Sequence, residues 1–123
     1  MAYASRDQVE LKRVSEAVLW AGRTLELSDQ EVGDALGVTG RSIARWREAR
    51  NQPSGRHVAA AEQLLELAQA LDAAFGGDAR AMQEWLHQPL PALRRQAPLR
   101  AVISGHVGDV LAVLASAESG TFA

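Results

Sequence analysis

The segment DQEVGDALGVTGRSIARWRE, Asp29 to Glu48, holds Gly33, Gly37 and Gly40 within eight residues, set between apolar residues at helical spacing. Two short helices that cross closely meet this constraint. Val32 faces inward, Gly33 is the small residue where the second helix passes, and Leu36 fills the core beneath. Gly37 supplies the left-handed residue that ends the first helix, Val38 plugs the corner, and Ile43 and Trp46 anchor the second helix to the first. The spacing predicts a helix capped by Ser28 or Asp29 and running to Leu36, then another from Gly40 to Arg50. NQPSG closes the second, because Pro53 bars continuation.

The helical period extends over the rest of the chain. Ser5 and Gln8 form a capping box ahead of an apolar stripe at Leu11, Val14, Val18, Ala21 and Leu25, which predicts a first helix from Arg6 to Leu25. Trp20 stands off that stripe. Val58 to Phe75 is the longest periodic run, with Val58, Ala61, Leu64, Leu65, Ala68, Leu71 and Phe75 assigned to one face and Gly76-Gly77 as its end. Asp78 caps a helix carrying Met82, Trp85 and Leu86, of which Trp85, like Trp46, is expected in the core. QPLPAL enforces an extended corner, Pro98 opens a helix over Leu99 to Ile103, and Ser104 or Gly105 opens a last one with Val107, Val110, Leu111 and Leu114 on one face and Gly120 as terminator. Strand-like alternation of useful length is missing. The expected class is all-α, about seven helices, with a helix-turn-helix bundle over residues 1–76 that includes the long connecting helix and a small helical domain over residues 77–123.

Composition removes several functions. The 123 residues contain no cysteine, which excludes disulfides, thiolate metal sites and a cysteine nucleophile. No window approaches the roughly 18 to 20 apolar residues of a membrane span, and MAYASRDQVELKR lacks the apolar core of a secretory signal, so a cytoplasmic protein without a membrane partner is expected. His57, His87 and His106 have no second ligand at helical spacing, and no phosphate loop, nucleophile elbow or carboxylate pair is present. The expectation is a non-enzymatic chain with no catalytic residue, metal or cofactor.

Charge is local. The formal net charge is −2, yet from Arg41 to His57 five arginines oppose only Glu48, a formal +4 over seventeen residues. Val58 to Gly77 carries Glu62, Glu66 and Asp72 and no Lys or Arg. One basic patch on a weakly acidic body suits a directed contact with nucleic acid rather than indiscriminate coating. With Ile43 and Trp46 turned inward, the Gly40 helix leaves Thr39, Gly40, Arg41, Ser42, Arg45 and Arg47 outward. A helix N-terminus favours phosphates, a helix fits the major groove, and arginine pairs bidentately with guanine. Arg41 and Arg45 are assigned to base edges, Arg47, Arg50, Arg56 and His57 to phosphates, and Thr39 or Ser42 to either. This is the helix-turn-helix arrangement, and one such helix needs paired half-sites, so a homodimer is expected. The first-helix stripe and the run from Val58 are its candidate surfaces.

The sequence from Ala81 to Ala123 resembles the toxin-binding domain of the Xre/MbcA/ParS antitoxins, partners of RES-domain toxins. The resemblance rests on Ala81 with Trp85-Leu86, then Pro89, Leu93 and Pro98, then Gly105 with Val110-Leu111 and Leu114, and finally Gly120 with Phe122. Leu25 to Arg47 matches the front half of the same family, so the likeness spans roughly residues 15 to 123. Two positions depart from the pattern: Arg95 stands near the usual glycine, and Ala97 replaces a basic residue before Pro98. The resemblance implies an antitoxin that holds operator DNA with its front half and a RES-type, NAD-degrading toxin with its rear, closing the toxin's active-site cleft in a hetero-oligomer. It points to Arg94, Arg95 and Arg100 and the tail Gly120, Thr121, Phe122 and Ala123 as toxin-binding residues. Two other readings remain open from the residues alone: a stand-alone transcriptional regulator whose rear half oligomerises, and a protein inhibitor whose helix-turn-helix no longer reads DNA.

Overall fold

The computed structural model describes residues 5–118, and among them the regular structure is helical throughout. In chain order the elements are α1 (Arg6–Thr24), α2 (Asp29–Leu36), α3 (Gly40–Arg47), α4 (Gly55–Phe75), α5 (Ala79–Leu86), a 3-10 turn (Pro91–Leu93), α6 (Pro98–Ile103) and α7 (Val107–Glu118). The expected all-α class is therefore what the chain adopts. The chain divides into two compact units, the first ending at Leu65 and the second starting at Glu66, with the boundary inside α4. Gly120 and the rest of the tail lie outside the described residues.

In the front unit the helix starts follow from capping chemistry. Ser5 and Ser28 each accept a hydrogen bond from the backbone N–H three residues on, at 3.1 Å, while Gln8 and Glu31 return a side-chain oxygen to the cap N–H at 2.9 and 3.0 Å. Such boxes satisfy backbone donors that no helical carbonyl can reach. Val14, Ala17, Val18 and Ala21 of α1 are fully buried, as are Val32 of α2 and Ile43 of α3; Leu36 and Trp46 are nearly so. Burying each large side chain contributes about 1.5–3 kcal/mol.

Two glycines permit the α2–α3 crossing. Gly37 adopts φ +77° and ends α2, as its position predicts. A Cβ on Gly33 would stand 2.6 Å from the Val38 carbonyl oxygen, so the chain passes where any side chain would be.

The end of α3 differs from the expected Arg50. The helix stops at Arg47, because Ala49 and Asn51 turn left-handed at φ +56° and +64°, and the Arg50 N–H reaches back to the Arg45 carbonyl at 2.8 Å. Pro53 is buried, and α4 begins at Gly55, three residues ahead of Val58. Arg13 of α1 clamps the front part of α4 through two bonds to the Glu62 carboxylate, 2.9 and 2.8 Å. That guanidinium holds the Glu62 carboxyl below the usual carboxylate range, against the opposing pull of partial burial. Both side chains are more than a third exposed, which limits the pair to well under about 1 kcal/mol.

The rear unit buries Leu67 and Leu71 of α4, Leu86 of α5, Leu90, Leu93 and Pro98 of the corner, Ala101 and Val102 of α6, and Val107, Val110, Val113 and Leu114 of α7. Leu67 had no place on the expected stripe of α4. The buried positions step through Ala61, Leu64, Leu67 and Leu71, whereas Leu65 and Ala68 are half-buried. Trp85 also departs from expectation. It is half-buried against Phe75, rings 5.8 Å apart and tilted 53°, instead of sitting in the core. Asp78 caps α5 as expected, accepting from the Ala81 N–H at 3.0 Å.

Candidate functional site

The basic face of α3 is built from its first turn. Thr39 caps the helix, its hydroxyl oxygen accepting from the Ser42 N–H at 3.2 Å. Gly40 lies where α3 abuts the start of α2: a Cβ there would stand 3.3 Å from the Gln30 nitrogen. Its smallness therefore serves the helix crossing. Arg41 is exposed and Arg45 half-buried, and their four-residue spacing sets both on one face of α3. Neither forms an ion pair among the described residues. Two like charges at that spacing repel by a few tenths of a kcal/mol, a cost an anion bound between them removes.

The remaining cations divide. Arg47 is bound by the Asp29 carboxylate at the start of α2, Nη1 lying 3.2 Å from Oδ2 and Nη2 against Oδ1. Arg50, past the helix, pairs with Glu48 at 2.7 Å. Both are neutralised within the chain. Arg56 is exposed near the start of α4 without an ion pair among the described residues. His57 lies against Trp46, ring centroids 5.6 Å apart, with Nδ1 2.8 Å from the Ser54 hydroxyl. Burial and then the Arg56 charge push its pKa below the ordinary histidine value. The structure thus gathers Thr39, Gly40, Arg41, Ser42 and Arg45 on one turn and a half of helix. Asp29 and Glu48, which set the state of the other arginines, carried no sequence signal for Asp29, eighteen positions from its partner.

In the rear unit the segment Leu90 to Pro98 makes a tight corner. The Leu90 N–H donates to the Gln96 carbonyl at 3.1 Å, and the Arg95 N–H donates to the Leu90 carbonyl at 2.9 Å. Buried Leu93 and Pro98 pin it. Arg94 and Arg95 both take left-handed backbone, φ +56° and +66°, at a cost of about 1 kcal/mol apiece for a residue with a Cβ. Their side chains and that of Arg100 on α6 are exposed. Arg94 borders a cleft of about 390 Å³ that Gln96, His106 and Asp109 also line; Arg95 and Arg100 lie off it. The tail residues Gly120, Thr121, Phe122 and Ala123 are outside the described residues. Because position 95 adopts backbone that glycine holds freely, Arg95→Gly is expected to raise stability by about 0.5–1 kcal/mol. The midpoint of urea unfolding checks this, and an unchanged or lowered midpoint contradicts it.

No helix among the described residues is long and apolar enough to cross a membrane. Nor do the described residues hold a cluster of three or more metal-ligating side chains.

Residues 70–120 match the family model described as the antitoxin Xre/MbcA/ParS C-terminal toxin-binding domain. No curated protein matches the chain. Among solved structures it is similar to a chain in the crystal structure of the M. tuberculosis MbcT-MbcA toxin-antitoxin complex, at 26% identity and a TM-score of 0.63, over 89% of this chain and 97% of that one. Residues 70–120, which hold the corner and helices α5 to α7, are therefore similar to the Xre/MbcA/ParS antitoxin toxin-binding domain.

Proposed function

We propose that this chain is the antitoxin of a type II toxin-antitoxin system. Its rear part, residues 77–123, binds and neutralises a RES-type, NAD-degrading toxin, and its front part, residues 1–76, represses its own operon as a helix-turn-helix DNA-binding module. The observation that carries the reading is the toxin-binding family match over residues 70–120. The similarity to a chain of a toxin-antitoxin complex, which spans both units, supports it.

The chain acts by binding alone, in the cytoplasm, without a cofactor. On the toxin, Arg94, Arg95 and Arg100 offer guanidinium groups to acidic residues around the cofactor cleft, and the tail Gly120, Thr121, Phe122 and Ala123 enters it, since a short tail fits a concave pocket that a helix does not. On the operator, α3 lies in the major groove with Arg41 and Arg45 at base edges, while Thr39, Gly40 and Ser42 bring the helix start to the backbone. Arg56 holds a phosphate outright. Arg47 and Arg50 do so by exchanging Asp29 and Glu48 for phosphate.

Co-expression with the product of the adjacent reading frame tests the toxin half. The two proteins are expected to purify as one complex, weakened by Arg94→Ala, Arg95→Ala and Arg100→Ala together and by deletion of residues 120–123. A complex indifferent to both changes removes those residues from the interface. Failure to form any complex overturns the reading.

A further inference from the structure

Four polar side chains meet around the cleft of about 390 Å³ in the rear unit: Arg94 and Gln96 from the corner, His106 from just ahead of α7, and Asp109 from its first turn. None of the four takes an ion-pair or side-chain hydrogen-bond partner among the described residues. Arg94 and Asp109 therefore face one hollow with opposite charge and do not neutralise each other. Buried Leu93 and Ala101 supply its apolar wall. The backbone behind the rim is fixed. The Arg94 and Gln96 N–H groups donate to the Pro91 and Leu93 carbonyls at 3.1 and 3.0 Å, the His106 N–H to the Ala101 carbonyl at 2.9 Å, and the Asp109 N–H to the His106 carbonyl at 3.1 Å. Polar groups carried on such a backbone are partly in place before a ligand arrives, which lowers the ordering cost of binding.

Charge selects the ligand. A phosphate that suits Arg94 is repelled by Asp109, and a diamine or metal cation that suits Asp109 is repelled by Arg94. A molecule with one charge of each sign satisfies both, and its net charge of zero matches that of the pair. Gln96 presents a carboxamide and His106 an imidazole, groups that both donate and accept, so the remainder of the molecule is best matched by a neutral polar group that does the same. We propose that this cleft binds a free α-amino acid with a neutral polar side chain. Its carboxylate lies on the Arg94 guanidinium, its ammonium on the Asp109 carboxylate, and its side chain between Gln96 and His106. The volume falls within the range of small-molecule sites.

Neither toxin nor operator enters the test, which uses the full chain alone, so its result is independent of both contacts. L-Glutamine is the probe, since its carboxamide is the counterpart of that on Gln96. Titrated into the nitrogen-labelled chain, it is expected to shift the amide resonances of residues 93–96 and 106–109 with a dissociation constant of about 1 mM or below. Two truncated probes separate the charges. Nα-acetyl-L-glutamine lacks the ammonium and L-glutaminamide lacks the carboxylate, and each is expected to bind about tenfold more weakly or worse. Asp109→Asn and Arg94→Gln are each expected to weaken L-glutamine by a similar factor. The variants also cross with the probes: Asp109→Asn no longer separates L-glutamine from its acetylated form, and Arg94→Gln no longer separates it from its amide. The truncated probes decide the matter on the wild-type chain even where a variant fails to fold. Absence of shifts at about 10 mM L-glutamine overturns the proposal. So do shifts confined to other residues, or truncated probes that bind the wild-type chain as well as L-glutamine does.

Discussion

Gly33→Val is expected to unfold the front unit under conditions where the wild-type chain is fully folded. The Cβ alone would stand 2.6 Å from the Val38 carbonyl oxygen and 3.1 Å from the Thr39 carbonyl carbon, and both obstacles are backbone. Neither can swing aside as a side chain does. Overpacking a rigid contact costs about 1–3 kcal/mol, and the two γ-methyls of valine place it at or beyond the upper end. For a unit of this size 1 kcal/mol moves the melting point by about 4–8 °C, so a fall of 10 °C or more is expected in the circular dichroism melt. Gly33→Ala should fall between. Gly55, where an added Cβ meets nothing within 4 Å, is the control, and Gly55→Ala is expected to leave the melt nearly unchanged. A Gly33→Val chain that melts like wild type means that α2 and α3 do not cross as described.

The second large effect is on DNA. If α3 reads a duplex, Arg41→Ala and Arg45→Ala each remove about 1–3 kcal/mol of discrimination, or about 5- to 150-fold in affinity for the operator. Together they bring specific binding down to the level of an unrelated fragment. Arg56→Ala is expected to weaken binding to both fragments alike and to lower the slope of log affinity on log salt by about one. Arg47→Ala separates position from charge. Since Asp29 already holds Arg47, its loss should lower stability while leaving the salt slope less affected than Arg56→Ala does. Filter binding or anisotropy with the chain's own upstream DNA over a salt series reads all four variants. Should wild type show no preference for that fragment, the chain is a protein inhibitor whose helix pair does not read DNA.

The front unit was largely legible from sequence because its constraints are local. Ser5 with Gln8, a cap at Ser28 or Asp29, and Gly37 after Leu36 fix helix ends within four residues of chain, and Gly33 declares a close approach by its smallness. What escaped depended on distance or on low contrast. Arg50 lies outside α3 because Ala49 and Asn51 turn left-handed where no glycine marks the turn. Arg47 is tied at the surface to Asp29 across eighteen positions, a pairing no periodicity announces. In α4, Ala and Leu occupy so many positions that Leu67 and Leu65 look alike in the sequence, and only packing decides that Leu67 is buried. Trp85 holds a stripe position that points to the core, whereas its ring rests half-open on Phe75. At the rear corner, Arg95 hid a left-handed residue behind a side chain that ordinarily avoids one. The likeness of Ala81 to Ala123 to a toxin-binding domain rests on resemblance and not on periodicity, which shows only that those helices have a buried face.

A chain that silences a toxin by occupying it, as proposed, must stop that toxin's turnover at a fixed ratio. The direct measurement is NAD consumption by the purified product of the adjacent reading frame as the full chain is titrated in. Rapid loss of NAD is expected from the toxin alone and a fall to background at a fixed stoichiometric ratio, with the end point moved to higher ratios by the Arg94, Arg95 and Arg100 alanine variant. NAD consumption that continues unchanged at saturating chain, or a neighbour that consumes none by itself, contradicts it.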